Sequence, residues 1–302
     1  MSVAAGADWS ELVIAIVGGD EREQEIARLA RATGATVRAY GFPWPESGID
    51  GVDRSSDPQA ALSGAHFALF PIPGIAEDGS LFAPASPAPI VPDEALLRSM
   101  APGATIVLGR SDDRLRSAAA SSGVSLAEYE DDQELMLLRA PAIIEGALQL
   151  AIEATDVTIH GAEVAVVGYG NIGSLLALTL VRLGARVTVV ARNPAQRAHA
   201  GAVGAEAIPL EDLARLAPSV AMLFSTVPTR VVGEDALRAL PAPALVMDLS
   251  APPGGVDLEL ARELGHRAVW ARGLGRRAPI TVGRSQWVGI RARIEAARAG
   301  SP

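Results

Sequence analysis

Short apolar runs alternate with amphipathic stretches along most of the chain, the order that builds βαβ units and parallel sheets. The first run, residues 12–17, ends in Gly18-Gly19-Asp20 and reads as a strand. Over residues 21–33, Ile26, Ala27, Leu29 and Ala30 share one side of a helix that Gly34 stops. Strands follow at residues 36–40, 65–71, 105–108 and 125–129, with a helix at 113–121. The Pro- and Gly-rich stretches 43–58 and 79–92 read as irregular loops, the second as either a lid or a plain surface excursion. From residue 131 to about 154 the periodicity is helical, with Leu135, Leu138, Ile143, Leu148 and Ile152 available for burial and a break or kink expected near Pro141.

The second half repeats the alternation around one turn. Val164-Ala165-Val166-Val167 runs into Gly168-Tyr169-Gly170-Asn171-Ile172-Gly173, and an apolar helix covers 172–183. In a G-x-G-x-x-G turn one glycine makes the tight bend, one admits a pyrophosphate to the backbone, and one lets helix and strand pack closely. The N–H groups at the helix start then face the phosphates. Residues 186–190 supply the next strand, so these six residues sit in the setting that a dinucleotide site requires. A protein preferring NAD usually carries Asp or Glu about 20 residues past the first glycine. Here that strand ends in Ala191-Arg192-Asn193, with no acid. Arg192 suits a 2′-phosphate and Asn193 can add a hydrogen bond, so NADP is the favoured cofactor and NAD the alternative.

Helices are expected at 194–203, 211–216, 258–264 and 284–299, and strands at 205–208, 220–225, 245–249 and 268–271. Thr226-Val227-Pro228 closes one of these strands where a nicotinamide ribose would lie, and Ser250 follows another; both join the candidate cofactor set. The fold expected is α/β with two doubly wound domains. A flavodoxin/Rossmann-like N-terminal domain would cover 1–140 with a returning helix at 284–302, and a Rossmann dinucleotide-binding domain would cover 141–283. A cleft between them would set strand ends carrying Asp20, Pro73 and Arg110 opposite those carrying Thr226, Ser250 and Arg276.

Composition narrows the chemistry. With 302 residues, 49% of them hydrophobic, the chain is long enough for two cores. It has no continuous apolar run near the roughly 18 residues of a membrane span and no signal-peptide pattern, so a soluble cytoplasmic protein without a membrane partner is expected. There is no Cys, and His66, His160, His199 and His266 are scattered, which argues against a metal site. There is also no Lys, which excludes Schiff-base chemistry and the P-loop lysine. A net charge of −9 gives no broad basic footprint for nucleic acid. An anionic substrate must therefore be held locally, and Arg22, Arg110, Arg276 and Arg277, with Pro73 at a strand end, are the candidates. Asp20 orients a substrate or caps a helix. Glu145, placed on a helix expected to be buried, is a candidate base because burial raises a carboxyl pKa.

Motifs spread over the chain resemble one family, that of the dipicolinate synthase A subunits. They are Gly18-Gly19-Asp20-x-Arg22, Gly41-Phe42, Glu145-Gly146, and Thr155-Asp156-x-Thr158-Ile159-His160-Gly161. Thr226-Val227-Pro228, Asp248-Leu249-Ser250-x-Pro252-Pro253-Gly254-Gly255-x-Asp257, and Gly273-Leu274 with Ala278-Pro279-x-Thr281-x-Gly283 follow in the same order. The resemblance implies NADP-linked oxidation of dihydrodipicolinate to dipicolinate in the mother cell of a spore-forming bacterium. It also implies a partner, the flavoprotein-like B subunit of dipicolinate synthase, together with a small dicarboxylate substrate. His160 is in that motif set, where it is either catalytic or structural. A homo-oligomer is expected. The sequence departs from the family pattern at Ile280, where Lys is usual, and at Ile143, where Thr is usual. A nucleotide-binding partner subunit without turnover, and an NADP-dependent 2-hydroxy-acid or imino-acid reductase, are the alternative readings.

Overall fold

The apolar runs assemble into two parallel sheets. The computed structural model describes residues 8–300. The chain divides into a first unit, the residues through Arg139 together with those from Ala278 onward, and a second, Ala140–Arg277.

The first unit's strands are β1 (Val13–Val17), β2 (Thr36–Tyr40), β3 (Val52–Arg54), β4 (Phe67–Leu69), β5 (Thr105–Leu108) and β6 (Ser125–Glu128), in the spatial order β3-β2-β1-β4-β5-β6. β1 lies at the centre, pairing Val13 with Thr36 of β2 and Ile14 with Phe67 of β4. Its helices are α1 (Arg22–Arg31), α2 (Pro58–Leu62), α3 (Glu94–Leu97), α4 (Asp113–Ser122) and the first turns of α5 (Gln133–Ala154). Asp57, Asp93 and Asp112 cap α2, α3 and α4 by accepting an N–H from the first turn of each. Ile14, Ile16, Ile26 and Val37 fill the core on one face, and Val17, Leu62, Ile106 and Leu108 the core on the other. Strands buried on both sides need no polar alternation, which is why they read as unbroken apolar runs.

The second unit continues from Ala140 on α5 through β7 (Glu163–Val167), α6 (Asn171–Arg182), β8 (Arg186–Val190), α7 (Pro194–Ala202), β9 (Glu206–Ile208), α8 (Leu213–Leu216), β10 (Met222–Ser225), α9 (Glu234–Ala239), β11 (Leu245–Asp248), α10 (Leu258–Glu263) and β12 (Arg267–Trp270). The order β12-β11-β10-β7-β8-β9 repeats that of the first unit, with β7 in the place of β1. The chain then returns to the first unit in α11 (Pro279–Gly300). There Trp287 meets Trp9 with ring centres 5.9 Å apart, and Arg284 donates to Glu25 of α1 at 2.7 Å.

Several elements differ from the sequence reading. Stretch 43–58 is not wholly irregular: it contains β3, an edge strand too short to show a pattern, and the start of α2. The last helix begins at Pro279 rather than residue 284, because Pro suits a first helical turn. Gly283 lets that helix close on α1, since a Cβ there would stand 2.8 Å from the Arg22 carbonyl oxygen. α5 runs through Pro141 without a break. It is also the one helix among the described residues long and apolar enough to cross a membrane. Ile144, Ala147 and Ala151, buried in the second unit's core, account for that character. Segment 79–92 is no free lid, because Phe82 accepts the Gly19 N–H at 2.7 Å and Leu81 donates to Ile90 at 2.8 Å.

Candidate functional site

In the second unit the strand-to-helix turn has the geometry that the glycines require. Gly168 has φ of 96°, and a Cβ there would lie under 3.0 Å from the Thr226 hydroxyl. A Cβ on Gly173 would come equally close to the Gly168 carbonyl oxygen, so this glycine allows α6 to start tight against β7. Gly170 differs, for a Cβ there would meet nothing within 4 Å. The open space lies at the N-cap of α6, where no side chain caps the helix and the first backbone bond is Ser174 N–H to the Gly170 carbonyl at 2.9 Å. The N–H groups of Asn171, Ile172 and Gly173 therefore face an anion position. Tyr169 turns away from it, its hydroxyl 2.9 Å from Nδ1 of His199.

A cavity of about 310 Å³ continues from this turn across the ends of β7, β8 and β10. Gly168, Tyr169 and Gly170 line it on one side, Ala191, Arg192 and Asn193 on another, and Thr226, Val227 and Pro228 on a third. The Arg192 side chain is exposed and makes no ion pair among the described residues. Asn193 is the N-cap of α7, its Oδ1 accepting the Ala195 N–H at 2.8 Å. Thr226 donates from its hydroxyl to the Val167 carbonyl at 3.2 Å, which ties β10 to the turn. Ser250 is not part of this lining. It is buried, and both its N–H and its hydroxyl donate to Asp248, at 2.9 and 2.6 Å. Asp248 also accepts from the N–H groups of Gly255 and Val256, so Ser250 belongs to a self-satisfied loop anchor rather than to a free cofactor contact.

In the first unit the position equivalent to the phosphate turn is filled by the protein's own carboxylates. Asp20 and Arg22 are both buried and form a two-point pair, Arg22 donating at 2.7 and 2.9 Å, so Arg22 is no surface cation. Glu23, 3% exposed, accepts the Asp20 N–H at 2.7 Å. Burial, reinforced by the Asp20 charge and opposed by Arg22, pushes its carboxyl up to about 7. Tyr129, just past β6, is buried, and burial with the Glu23 and Glu130 charges raises its phenol further above the ordinary range. Arg139 on α5 donates to Glu130 at 2.9 Å. Glu23, Tyr129, Glu130 and Arg139 were not legible as a cluster. For Glu23 the signal was present: it precedes Ile26 and Ala27 by three and four residues, which puts it on the buried side of α1.

Other candidates fall elsewhere. Glu145 is not buried; its side chain is 58% exposed and paired with Arg277, so the premise for a burial-activated base fails. His160 sits in the exposed turn before β7, at the opposite end of that strand from the glycine turn. A five-residue strand spans roughly 16 Å, and the imidazole instead covers Gly184. That placement removes it from the catalytic set. Arg110 pairs with exposed Asp131, and Pro73 is exposed in the turn after β4. Arg276 and Arg277 lie in one short 3₁₀ turn, residues Leu274–Arg277, of the second unit.

The fold agrees with comparisons to known proteins. Residues 13–130 match the family model for the N-terminal domain of the dipicolinate synthase A subunit, and residues 143–269 match that for the NAD binding domain of S-adenosyl-L-homocysteine hydrolase. The chain is 29% identical over 273 residues to the dipicolinate synthase A subunit of Bacillus subtilis (strain 168), covering 90% of this chain and 92% of that protein. The crystal structure of the dipicolinate synthase A subunit from Bacillus halodurans superposes with a TM-score of 0.88 at 28% identity, covering 98% of this chain and 100% of the other. A transhydrogenase from Sinorhizobium meliloti shares the fold, with a TM-score of 0.65 at 14% identity over 94% of this chain and 95% of that one. A domain matching the N-terminal domain of the dipicolinate synthase A subunits is thus followed by one matching an NAD binding domain, and nearly the whole chain is similar in sequence and fold to those A subunits.

Proposed function

We propose that the protein oxidises dihydrodipicolinate to dipicolinate with NADP, working with the B subunit of dipicolinate synthase in the cytoplasm of the mother cell of a spore-forming bacterium. The observation that carries the cofactor choice is Arg192, an exposed cation with no ion pair among the described residues, at the end of β8, where the cavity lining holds no acid to meet a ribose 2′-hydroxyl. Asn171, Ile172 and Gly173 would hold the pyrophosphate through their N–H groups, and Arg192 and Asn193 the 2′-phosphate. Thr226, Val227 and Pro228 would lie along the nicotinamide ribose. Bound NADP supplies a hydride acceptor; aromatising the ring removes one hydride and one proton, so the protein's share is orientation and a proton acceptor. Glu23 supports that second role as a buried carboxyl held near neutrality, with Arg22 fixed beside it by Asp20. Arg110, Arg276 and Arg277 stand as proposed partners for the two substrate carboxylates, the exposed pairs at Arg110 and Arg277 being cheap to exchange.

Calorimetry with NADP and NAD on the wild type and on Arg192→Glu tests the cofactor. The variant should bind NADP at least tenfold more weakly, the order expected for losing a charge-assisted hydrogen bond of roughly 1.5–3 kcal/mol, while NAD binding is retained. Equal binding of both by the wild type overturns the choice. Absence of dipicolinate from a mixture of both subunits, NADP and dihydrodipicolinate overturns the reaction. One observation favours a second reading, a nucleotide-binding subunit without turnover. Ile280, 53% exposed on the first turn of α11, stands where the family resemblance places Lys. Under that reading Ile280→Lys with Ile143→Thr raises turnover sharply.

A further inference from the structure

The two sheets share one strand order, so every position around the second unit's dinucleotide cavity has a counterpart in the first unit. The counterpart of the phosphate turn is closed. Glu23 accepts the Asp20 N–H, Asp20 accepts the Arg22 N–H at 3.2 Å, and the Phe82 carbonyl accepts the Gly19 N–H. The Gly19, Asp20 and Arg22 N–H groups there are thus already taken. The neighbouring position, across the ends of β2 and β3, is open. A cavity of about 330 Å³ lies there, inside the size range of small-molecule sites.

Its walls have a particular chemistry. Trp44 is half-buried, with its ring centre 5.7 Å from that of Phe42, so its orientation is fixed by packing. The Arg54 guanidinium stands 5.7 Å from the centre of the Trp44 ring. Arg54 is exposed and makes no ion pair among the described residues, in a chain whose net charge is −9. Tyr40, Ser55 and Ser56 complete the rim. An indole face, a guanidinium without a counter-ion and adjacent hydroxyl groups are complementary to a flat ring that carries a negative group.

We propose that this cavity of the first unit is a second ligand site for a small planar aromatic anion, distinct from the dinucleotide turn. Trp44 stacks on the ring and Arg54 pairs with its carboxylate or phosphate, while Ser55 gives a hydrogen bond to the same group; the Ser56 hydroxyl is already donated to Asp57 at 2.7 Å. The closed phosphate turn leaves no place for a bridging pyrophosphate, so the ligand is a single-ring or mononucleotide anion rather than a dinucleotide. Two sources share this chemistry, a purine mononucleotide and an aromatic ring carboxylate of the kind that the proposed reaction forms.

The test uses the full chain saturated with NADP, so that the second unit's cavity is filled. AMP and pyridine-2,6-dicarboxylate are titrated separately, with saturation-transfer NMR to detect ring contact and calorimetry to count sites. For one of the two, one site per chain should depend on Arg54, counted apart from any dicarboxylate held beside the cofactor by Arg110, Arg276 and Arg277. Arg54→Glu, a change at an exposed side chain, should weaken that binding at least tenfold while NADP affinity, measured separately, stays the same. Trp44→Phe should weaken it less, and Trp44→Leu more. If AMP alone binds, the ligand is a nucleotide; if the dicarboxylate alone binds, the site senses product. Failure of both probes to bind overturns the proposal, as does binding that Arg54→Glu leaves unchanged. Because NADP affinity has its own readout, either failure is separable from failure of the dinucleotide site.

Discussion

Replacing Glu23 by Gln should remove a pH dependence that the buried carboxyl imposes on folding. Burial lifts this group from 4.5 to about 7. Between those values the native protein keeps a proton that the unfolded chain has lost, so stability falls as pH rises. At about 1.4 kcal/mol per pH unit, the interval from 4.5 to about 7 amounts to roughly 3 kcal/mol, present in full below pH 4.5 and gone once the native carboxyl ionises. Gln keeps the shape, and its carbonyl oxygen can still accept the Asp20 N–H that Glu23 holds at 2.7 Å. Urea unfolding of both proteins at intervals from pH 5 to pH 8 isolates the group, because the other titrating residues cancel in the difference. The variant should gain on the wild type by about 2–3 kcal/mol across that range. Parallel stability curves would refute the reasoning, since they would mean that Glu23 ionises alike in both states.

Four further substitutions, all in the second unit, have expected outcomes. Gly170→Ala should lower the melting temperature only slightly, as a poorer N-cap, and weaken NADP at least tenfold, because its Cβ enters the space assigned to phosphate; Gly173→Ala, which strikes the Gly168 carbonyl, should cost about 1–3 kcal/mol of stability. Retained NADP affinity in Gly170→Ala would move the phosphates elsewhere. Asp248→Ala strands four donor groups from Ser250, Gly255 and Val256 and should destabilise by about 3 kcal/mol or more in chemical denaturation. His160→Ala should leave kcat and KM for the proposed reaction unchanged in steady-state assays, and a large fall in kcat would return it to the catalytic set.

The legible parts of this molecule were those whose chemistry is local in sequence. The turn from Gly168 to Gly173 carries its own steric logic, and the lack of an acid beside Arg192 is visible in three residues. Strands β1, β7 and β10, enclosed by helices, announced themselves as apolar runs. What depended on which way a side chain points, or on which neighbour claims it, is not visible in the pattern. Glu145 lies on an apolar helix, yet its own side chain points to solvent and Arg277. Ser250 sits at a strand end, the right place for a cofactor contact, but Asp248 claims its hydroxyl first. Glu23 was hidden among Glu21, Arg22 and Glu25, a charge run that resembles a solvated helix start, and only the phase of Ile26 and Ala27 marks it as inward. β3 was lost because three residues with one buried position show no period.

The last helix completes the first unit only after the second has been made. On a ribosome, residues 140–277 emerge as one block that contains all of its own sheet. The face of α1 carrying Ile26 and Ala30 meanwhile lacks Trp287, Ile290 and Ile294. At about 5–20 residues per second, the interval between Arg139 and the end of α11 is on the order of ten to thirty seconds. During that wait a nascent chain carries a finished nucleotide-type fold beside an uncovered apolar helix, which makes the half-built first unit the natural client for chaperones.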